Sequence, residues 1–502
     1  MKNSIKFGTD GWRGTIGFDF IEEKVKLISA GVCKYLSEIK VKRDSSQLKK
    51  SSKKFLGKIV IGYDTRFLSD RFAKSAAEIF SKNNIETLIS DRFITTPVLS
   101  YSVVNNKADL GIMITASHNP FYYNGYKIKG PFGGSATMDI ISGIEEQVNY
   151  LNHSRELKQF LGEQKSECSY NDSYPVIYPV KCDFINDYKE YLFSITDIDL
   201  IKKNLNFPVI VDPMYGAGQG LFKNIIQELS KSKVYEIHGS INTSFGGLNP
   251  EPIGENLNEV INFLKEKECS IAFCLDGDGD RIGAIGQNGN FISSHHIFSI
   301  VLDYLVRVKK LAGRVVKTVS TSSIIDRICQ KYGLDLAIKP VGFKYIGEEI
   351  LAGGIIMGGE ESGGIWAQGF IPERDGIRMS LILLEIICKE KKSINEILKD
   401  IYNLYGFFLY RREDYEIDEE KKLLLVKNLA NNKIPQVLKS EGASNPVTID
   451  GYKYFFPDGS WLMIRPSGTE SVVRIYAESD CSDKLNRLHQ LGKKIIDNPE
   501  LI

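Results

Sequence analysis

Long hydrophobic runs are missing from this chain, and neither sign of charge is in excess. No stretch approaches the ~20 apolar residues of a membrane-spanning helix, and the opening MKNSIKFGTDGW is not a charged-then-apolar leader. Lys and Arg number 64 against 63 Asp and Glu, so no global field recruits nucleic acid or an anionic membrane. We therefore expect a cytoplasmic protein with neither partner, in which local charges hold any anionic ligand.

The usual cysteine and histidine patterns of metal sites are also absent. The 8 cysteines are scattered, and Cys269 and Cys274, the closest pair, have no second pair to complete a zinc site. The 6 histidines include no HExxH motif. The composition favours reduced, mostly buried thiols, and any bound metal should have oxygen ligands.

The pattern along the 502 residues predicts several domains, because so long a chain exceeds one hydrophobic core. Short β-branched runs alternate with amphipathic helical segments up to about residue 404, which predicts three layered α/β units. After residue 405 a long helix, a hairpin around 457–459 and a last helix predict an α+β module. The Lys/Ser-rich segment 40–54 and the polar segment 151–178 are interpreted as a solvated loop and a linker.

A short polar motif, TASHNP at 115–120, follows the apolar run 108–114. Open α/β sheets bind ligands at the carboxyl ends of their strands, and the Asn-Pro pair favours a turn there. Such a turn can present the Oγ of Ser117 to a cleft. The alternative is a capped turn in which Ser117 bonds its own backbone.

Three aspartates alternate with glycines at 276–280, directly after the predicted strand 270–275. A tight turn can aim all three carboxylates at one point, which suits a hard divalent cation such as Mg²⁺. A helix-loop-helix calcium loop is excluded because its sixth and twelfth positions are Arg281 and Gln287. An acidic surface turn remains the alternative.

Three further loops carry groups that suit a sugar phosphate. RPSGTE at 465–470, with Arg474 beyond it, has the composition of a phosphate cradle, although a hairpin turn with a surface salt bridge is the alternative. GEESGG at 359–364 places carboxylates that can accept hydrogen bonds from sugar hydroxyls. The alternative is that this segment caps the N-terminus of a helix. Lys344 can reach the same sugar-binding position as GEESGG, or it lies on the solvated surface. Arg13 lies in the glycine-rich segment FGTDGWRG at 7–14, which we interpret as a loop.

With these motifs in this order, the chain resembles the α-D-phosphohexomutases, the phosphoglucomutase and phosphomannomutase superfamily. The resemblance implies four domains around a central cleft, three of related α/β topology and a fourth of α+β type. We expect these domains to cover 1–153 (phosphoserine), 179–288 (metal), 289–404 (sugar) and 405–502 (phosphate).

The resemblance also implies a role for each matching residue. Ser117 is the residue that carries the phosphoryl group, and this group binds Mg²⁺ together with Asp276, Asp278 and Asp280. Arg13, His118, Lys127 and Arg281 surround the transferring phosphoryl, with Lys127 expected to act as general base and acid through a lowered pKa. The substrate-binding residues are expected to be Lys344, Glu360, Ser362, Arg465, Ser467, Gly468, Thr469 and Arg474.

The expected activity is the interconversion of hexose 1-phosphate and hexose 6-phosphate through a phosphoserine enzyme and a hexose 1,6-bisphosphate, which also serves as activator. Glucose is the preferred sugar, and mannose or both sugars come next. Gly364 stands where glucosamine-specific and some mannose-active relatives tend to have histidine, which lowers the odds of an amino sugar without excluding it. A phosphopentomutase, a phosphoserine-dependent phosphatase and a non-catalytic paralogue are further alternatives, and the expected assembly is a monomer or a dimer.

Overall fold

The computed structural model describes residues 5–8, 10–46, 56–162, 178–431, 434–468 and 471–501. The chain divides into two compact units. Unit 1 consists of Met1–Ile297, Gly342–Gly354 and Ser362–Asn395, and unit 2 consists of Phe298–Val341, Ile355–Glu361 and Glu396–Ile502. Within the described ranges, the longest apolar helical stretches fall short of what a bilayer crossing requires.

The strands and helices alternate along most of the chain. Up to residue 292 the strands are β1 (Trp12–Thr15), β2 (Lys58–Tyr63), β3 (Glu86–Ser90), β4 (Leu110–Ile114), β5 (Tyr123–Lys129), β6 (Val180–Cys182), β7 (Val209–Asp212), β8 (Val234–Glu236), β9 (Ile271–Leu275), β10 (Ile282–Gly286) and β11 (Phe291–Ile292). The helices of the same stretch are α1 (Glu22–Ser46), α2 (Ser69–Lys82), α3 (Thr96–Asn105), α4 (Met138–His153), α5 (Leu157–Phe160), α6 (Ile185–Ser194), α7 (Ile198–Asn204), α8 (Leu221–Leu229) and α9 (Asn258–Glu266).

The remaining elements alternate in the same way, and the last four strands follow residue 405. The strands are β12 (Arg314–Thr318), β13 (Asp335–Lys339), β14 (Ile355–Gly359), β15 (Ile365–Ala367), β16 (Leu409–Glu416), β17 (Tyr452–Phe455), β18 (Trp461–Pro466) and β19 (Val472–Ser479). The helices are α10 (Ser294–Arg307), α11 (Ile324–Tyr332), α12 (Phe343–Ala352), α13 (Gly376–Glu390), α14 (Ile394–Tyr405), α15 (Glu419–Ala430), α16 (Gln436–Lys439) and α17 (Ser482–Asp497).

Two mixed sheets lie in unit 1. The first has the order β1-β5-β4-β2-β3-β6, in which β4, β2, β3 and β6 run parallel while β5 and β1 are antiparallel to their neighbours. The second has the order β11-β10-β9-β7-β8, with β9, β7 and β8 parallel. Every residue of β4 and β9 is buried, as expected for strands covered on both faces. Both strands end where the predicted site begins.

Unit 2 combines a parallel and an antiparallel arrangement. β12 pairs in parallel with β13 and β14, and the C-terminal sheet has the antiparallel order β16-β19-β18-β17. One face of the C-terminal sheet packs on α15 and α17 through a core that includes Leu425, Ile475 and Leu488. The α+β module predicted after residue 405 is confirmed.

Several local predictions were wrong. α1 extends through the first part of the predicted loop 40–54, because long polar side chains can propagate a helix that a buried face has already nucleated. Trp12–Thr15 of the predicted glycine-rich loop forms β1, paired with β5. α4 and α5 occupy the start of the predicted linker 151–178, and residues 47–55 and 163–177 lie outside the described ranges.

Candidate functional site

The turn after β4 places Ser117 in the left-handed region of the backbone, with φ of 54°. The Ser117 N–H donates to Thr115 Oγ1 over 2.9 Å, and the Thr115 hydroxyl donates to Asp64 over 2.6 Å. Arg66 Nη2 donates to the carbonyls of Ser117 and Asn119, over 2.6 Å each. These buried bonds, with the Asn-Pro turn, fix a conformation that costs a non-glycine residue free energy.

The Ser117 hydroxyl lies against the predicted metal loop. Its Oγ donates to Asp276 Oδ2 over 2.8 Å and lies 3.5 Å from His118 Nδ1. The prediction that this hydroxyl faces an open cleft was wrong, because Ser117 is 0% exposed. Gly277 packs directly on the Ser117 carbonyl, and sequence spacing contains no sign of this contact between distant loops.

The three aspartates after β9 converge as predicted. Oxygen atoms of Asp276, Asp278 and Asp280 all lie within 4.8 Å of one another, and all three residues are buried. Burial raises the pKa of Asp276 well above its ordinary value, and the two neighbouring carboxylates raise it further. Burial would also raise the pKa of Asp278, but Lys127 and a hydrogen bond from Thr96 hold it below the ordinary value. The buried carboxyl groups of this loop therefore differ in how readily they ionise when no cation is bound.

The donor set of this loop fits a hard divalent cation. Asp278 Oδ1 and Asp280 Oδ1 are buried, and no hydrogen-bond donor among the described residues reaches either atom. A buried carboxylate oxygen without a donor is costly, and a cation supplies the missing charge and coordination. The acidic cluster is thus a buried trio of carboxylates that suits a metal.

Basic side chains surround the trio. Lys127 Nζ lies 2.9 Å from Asp278 Oδ2 and 3.5 Å from Asp280 Oδ2, and Arg374 Nη2 lies 2.5 Å from Asp280 Oδ2. Arg281 donates its backbone N–H to Asp276 Oδ1 over 3.1 Å, and its Nε lies 3.9 Å from Asp276 Oδ2. These contacts offset part of the repulsion among the carboxylates.

A fourth carboxylate, Asp10, joins the same network. Its Oδ2 lies 2.7 Å from Lys127 Nζ, 3.3 Å from Arg374 Nη2 and 3.5 Å from Arg13 Nη2. Arg13 also donates to the Asn119 side chain, next to the serine turn. Asp10 and Arg374 were missed at the level of the sequence. Asp10 lies inside the FGTDGWRG motif, whereas no spacing pattern connects Arg374 to the aspartate loop.

The prediction of a lowered pKa for Lys127 was wrong. Burial by itself would lower the pKa of this ammonium group, but Asp10, Asp278 and Asp280 together raise it above its ordinary value. The sequence suggested neighbouring cations, whereas the structure places three carboxylates around Nζ. Lys127 is therefore a stable cation in this arrangement.

The predicted phosphate cradle lies in unit 2. Arg465 on β18 and Arg474 on β19 are opposite each other in the antiparallel register. The Ser467 N–H donates to the Val472 carbonyl over 2.8 Å and closes the turn, at which Gly468 is exposed. Thr469, also predicted here, lies outside the described residues.

The predicted sugar-binding residues fall in both units. Glu360 follows β14 in unit 2 and is buried, whereas Ser362 and Lys344 belong to unit 1. The Lys344 ammonium lies 3.5 Å from Met138 Sδ. Beside Glu360, Glu361 accepts hydrogen bonds from the hydroxyls of Thr318 and Ser320, over 3.1 and 2.6 Å.

Comparison with known proteins identifies the family of this chain. Family models for the phosphoglucomutase/phosphomannomutase α/β/α domains I, II and III match residues 4–154, 185–289 and 293–405, and the model for the C-terminal domain matches 416–490. The chain belongs to the phosphoglucomutase/phosphomannomutase family. The predicted membership of this superfamily is confirmed, as are the three α/β domains and the different fourth one.

Individual relatives of the family carry different names. The chain is 29% identical to a phosphoglucomutase/phosphomannomutase of Thermococcus kodakarensis, over 88% of this chain and 90% of that one. It is 30% identical to a phosphoglucosamine mutase of Dictyoglomus turgidum, over 98% of both chains. A crystal structure of a putative phosphomannomutase from Thermus thermophilus matches with a TM-score of 0.80 and 28% identity, over 99% of this chain and 100% of that one. The protein is therefore a phosphohexomutase, an isomerase that interconverts sugar phosphates, and the names differ in the sugar.

The close approach of Gly277 to the serine turn gives a prediction. A Cβ atom at position 277 would lie 2.4 Å from the Ser117 carbonyl oxygen, a backbone atom that no side-chain rotation can relieve. We expect Gly277→Ala to lower sugar-phosphate isomerisation by about 100-fold or more, because a small misplacement of reacting groups is costly. Steady-state rates of the purified variant measure this.

The control is Gly254→Ala in the same unit, where the new Cβ meets only the Phe291 ring at 3.5 Å. This control should keep the wild-type rate. A Gly277→Ala enzyme as fast as the control would show that the two loops need not touch.

Proposed function

We propose that this phosphohexomutase interconverts hexose 1-phosphate and hexose 6-phosphate through phospho-Ser117 and a hexose 1,6-bisphosphate, with glucose as the preferred sugar. The observation that carries the proposal is the 2.8 Å contact between Ser117 Oγ and Asp276, in a trio of carboxylates that suits a metal. A hydroxyl so placed can carry a phosphoryl group whose charge is neutralised by a metal in the aspartate trio and by the surrounding basic side chains.

The transfer step needs little covalent help from the protein. The bond from phosphorus to Ser117 Oγ breaks, a bond to the free sugar hydroxyl forms, and the hydroxyl proton ends on Oγ. His118 is placed to relay this proton, because its Nδ1 lies 3.5 Å from Oγ. Ser117 then takes the other phosphoryl group from the bisphosphate by the reverse step.

The cations around Ser117 serve mainly to neutralise charge. Lys127 Nζ lies 2.7 Å from Asp10 and 2.9 Å from Asp278, so its proposed role is to attract the phosphoryl oxygens, together with Arg13 and Arg281. Mg²⁺ is the proposed metal of the aspartate trio, where it would polarise the phosphoryl group and balance its charge.

Access to the buried serine is from the side where its neighbours keep exposed surface. The Arg13 and Asp10 side chains are 24% and 18% exposed, and His118 is half-buried. We infer that the reacting end of the sugar enters past these residues. The phosphate that does not react would be held by Arg465, Ser467, Gly468, Thr469 and Arg474.

The sugar is proposed to be held by Glu360, Ser362 and Lys344. Carboxylate oxygens accept from vicinal hydroxyls, and Glu360 is buried at the end of β14. The resemblance places histidine at position 364 in glucosamine-specific and some mannose-active relatives, so Gly364 supports the proposal of glucose. Phosphomannomutase or dual activity is the second candidate, because the relative from Thermococcus kodakarensis is named for both sugars. Phosphoglucosamine mutase activity, named for the relative from Dictyoglomus turgidum, comes after it.

Replacing the proposed phosphoryl carrier tests the reaction type. We expect Ser117→Ala to abolish isomerisation, and intact-mass measurement should find one phosphoryl group on the wild type and none on the variant. The wild type should release inorganic phosphate far more slowly than it forms the isomer. Full isomerase activity in Ser117→Ala would refute the phosphoserine, and phosphate release as fast as isomerisation would make the protein a phosphatase.

A substrate series tests the sugar. With Mg²⁺ and a trace of hexose bisphosphate, kcat/KM should be highest for glucose 1-phosphate, lower for mannose 1-phosphate and lowest for glucosamine 1-phosphate. Coupled assays of the three 6-phosphates measure this. Equal values for glucose and mannose would indicate a dual-specificity enzyme, and a preference for glucosamine would overturn the argument from Gly364.

Metal binding can be tested without turnover. Because a ligand that binds only the folded state raises the melting temperature, we expect Mg²⁺ to stabilise the wild type and to have no such effect on Asp278→Asn. The matched control is Asp199→Asn on the exposed first turn of α7, which should keep the shift. An equal Mg²⁺-dependent shift in Asp278→Asn would place the metal elsewhere.

A further inference from the structure

The C-terminal sheet brings two arginines of the proposed phosphate cradle together on one face. Arg465 on β18 is directly opposite Arg474 on β19, and Arg474 is directly opposite Asp414 on β16. Residues directly opposite in an antiparallel pair share a face of the sheet, and like charges in such a pair repel. Two guanidinium groups in this register therefore need neighbours that hold them in place.

Each of the two arginines forms an ion pair with an aspartate through its Nε atom. Asp450 Oδ2 lies 3.0 Å from Arg465 Nε as an ion pair without hydrogen-bond geometry, and Asp414 Oδ2 accepts a hydrogen bond from Arg474 Nε over 3.2 Å. A guanidinium group is planar, so a carboxylate held at Nε restrains the orientation of the plane. The two terminal nitrogens of an arginine form the fork that matches a phosphate.

The two aspartates are themselves anchored. Asp450 Oδ2 also accepts a hydrogen bond from the Val341 N–H over 2.9 Å, within the same unit. Asp414 binds Arg412 through both oxygens, over 2.7 Å each, from Arg412 Nε and Nη2. Neither carboxylate can follow a moving arginine without losing a second contact.

The negative charge of these two aspartates disfavours the binding of a phosphate. A carboxylate beside a phosphate-binding arginine repels the ligand, so its presence weakens binding unless the geometry it imposes compensates. We propose that Asp450 and Asp414 are positioning residues, which hold Arg465 and Arg474 by their Nε edges in the orientation that binds the phosphate of the sugar. This inference rests on the proposed function of the cradle.

Two replacements at position 450 separate positioning from charge. We expect Asp450→Ala to raise the KM for glucose 1-phosphate roughly 10-fold, because a displaced arginine binds the phosphate poorly, with a smaller change in kcat. Asp450→Asn keeps an acceptor oxygen and removes the negative charge, so its KM should return close to the wild-type value. A role in charge alone predicts a lower KM for both variants.

A second site and a control complete the test. Asp414→Ala should raise KM as Asp450→Ala does, and it keeps the test conclusive if one variant fails to fold. The control is Asp483→Ala on the exposed first turn of α17, which removes the same charge from the same unit and should leave KM unchanged. Melting temperatures of all variants separate positioning from loss of structure.

The outcomes distinguish this inference from the proposed function. A wild type that does not isomerise glucose, mannose or glucosamine phosphates would overturn both. An active wild type in which Arg465→Ala raises KM, but Asp450→Ala and Asp414→Ala do not, would overturn only the positioning role. A fall in KM in either alanine variant would also overturn it.

Discussion

The site in unit 1 depends on one constraint. Three carboxylates in a buried loop lie within 4.8 Å of one another, and the surrounding charges must compensate them. Such a cluster is unstable alone, because burial and mutual repulsion both oppose its ionisation. The network joins four acidic and four basic side chains: Asp10, Asp276, Asp278 and Asp280 with Arg13, Lys127, Arg281 and Arg374. A phosphoryl group and a divalent cation carry opposite charges of similar size, so both can join this network without changing its net charge.

The sheets bring these groups together because the loops follow the ends of buried strands. β4 ends before the serine turn and β9 ends before the aspartate loop, and Gly277 lets the two backbones touch. Lys127 lies on β5, which pairs with β4, so its ammonium group is carried to the same place. Short-range sequence motifs thus form one site only because the order of the strands makes their ends neighbours.

The strands and the aspartate loop could be predicted from the sequence, because each depends on residues that are close together in the chain. The apolar runs of β2, β4 and β9 and the spacing of the three aspartates can be interpreted without knowledge of the fold. The contributions of Asp10 and Arg374, the burial of Ser117 and the raised pKa of Lys127 could not be predicted, because each depends on which distant groups surround a side chain. The extension of α1 was missed because a polar segment can continue a helix that a buried face has nucleated. The strand β1 was missed because a glycine-rich segment forms a strand only when a partner such as β5 pairs with it. The ranges of the four domains stay a prediction.

The left-handed backbone conformation at position 117 also limits which hydroxyl-bearing residue can occupy that position. Serine and threonine offer chemically similar hydroxyls, but a φ of 54° is strongly unfavourable for a side chain that branches at Cβ. An evolutionary exchange of one for the other would first have to rebuild the turn that Arg66 and Thr115 hold. The fold thus restricts the chemical identity of the proposed phosphoryl carrier as well as its location.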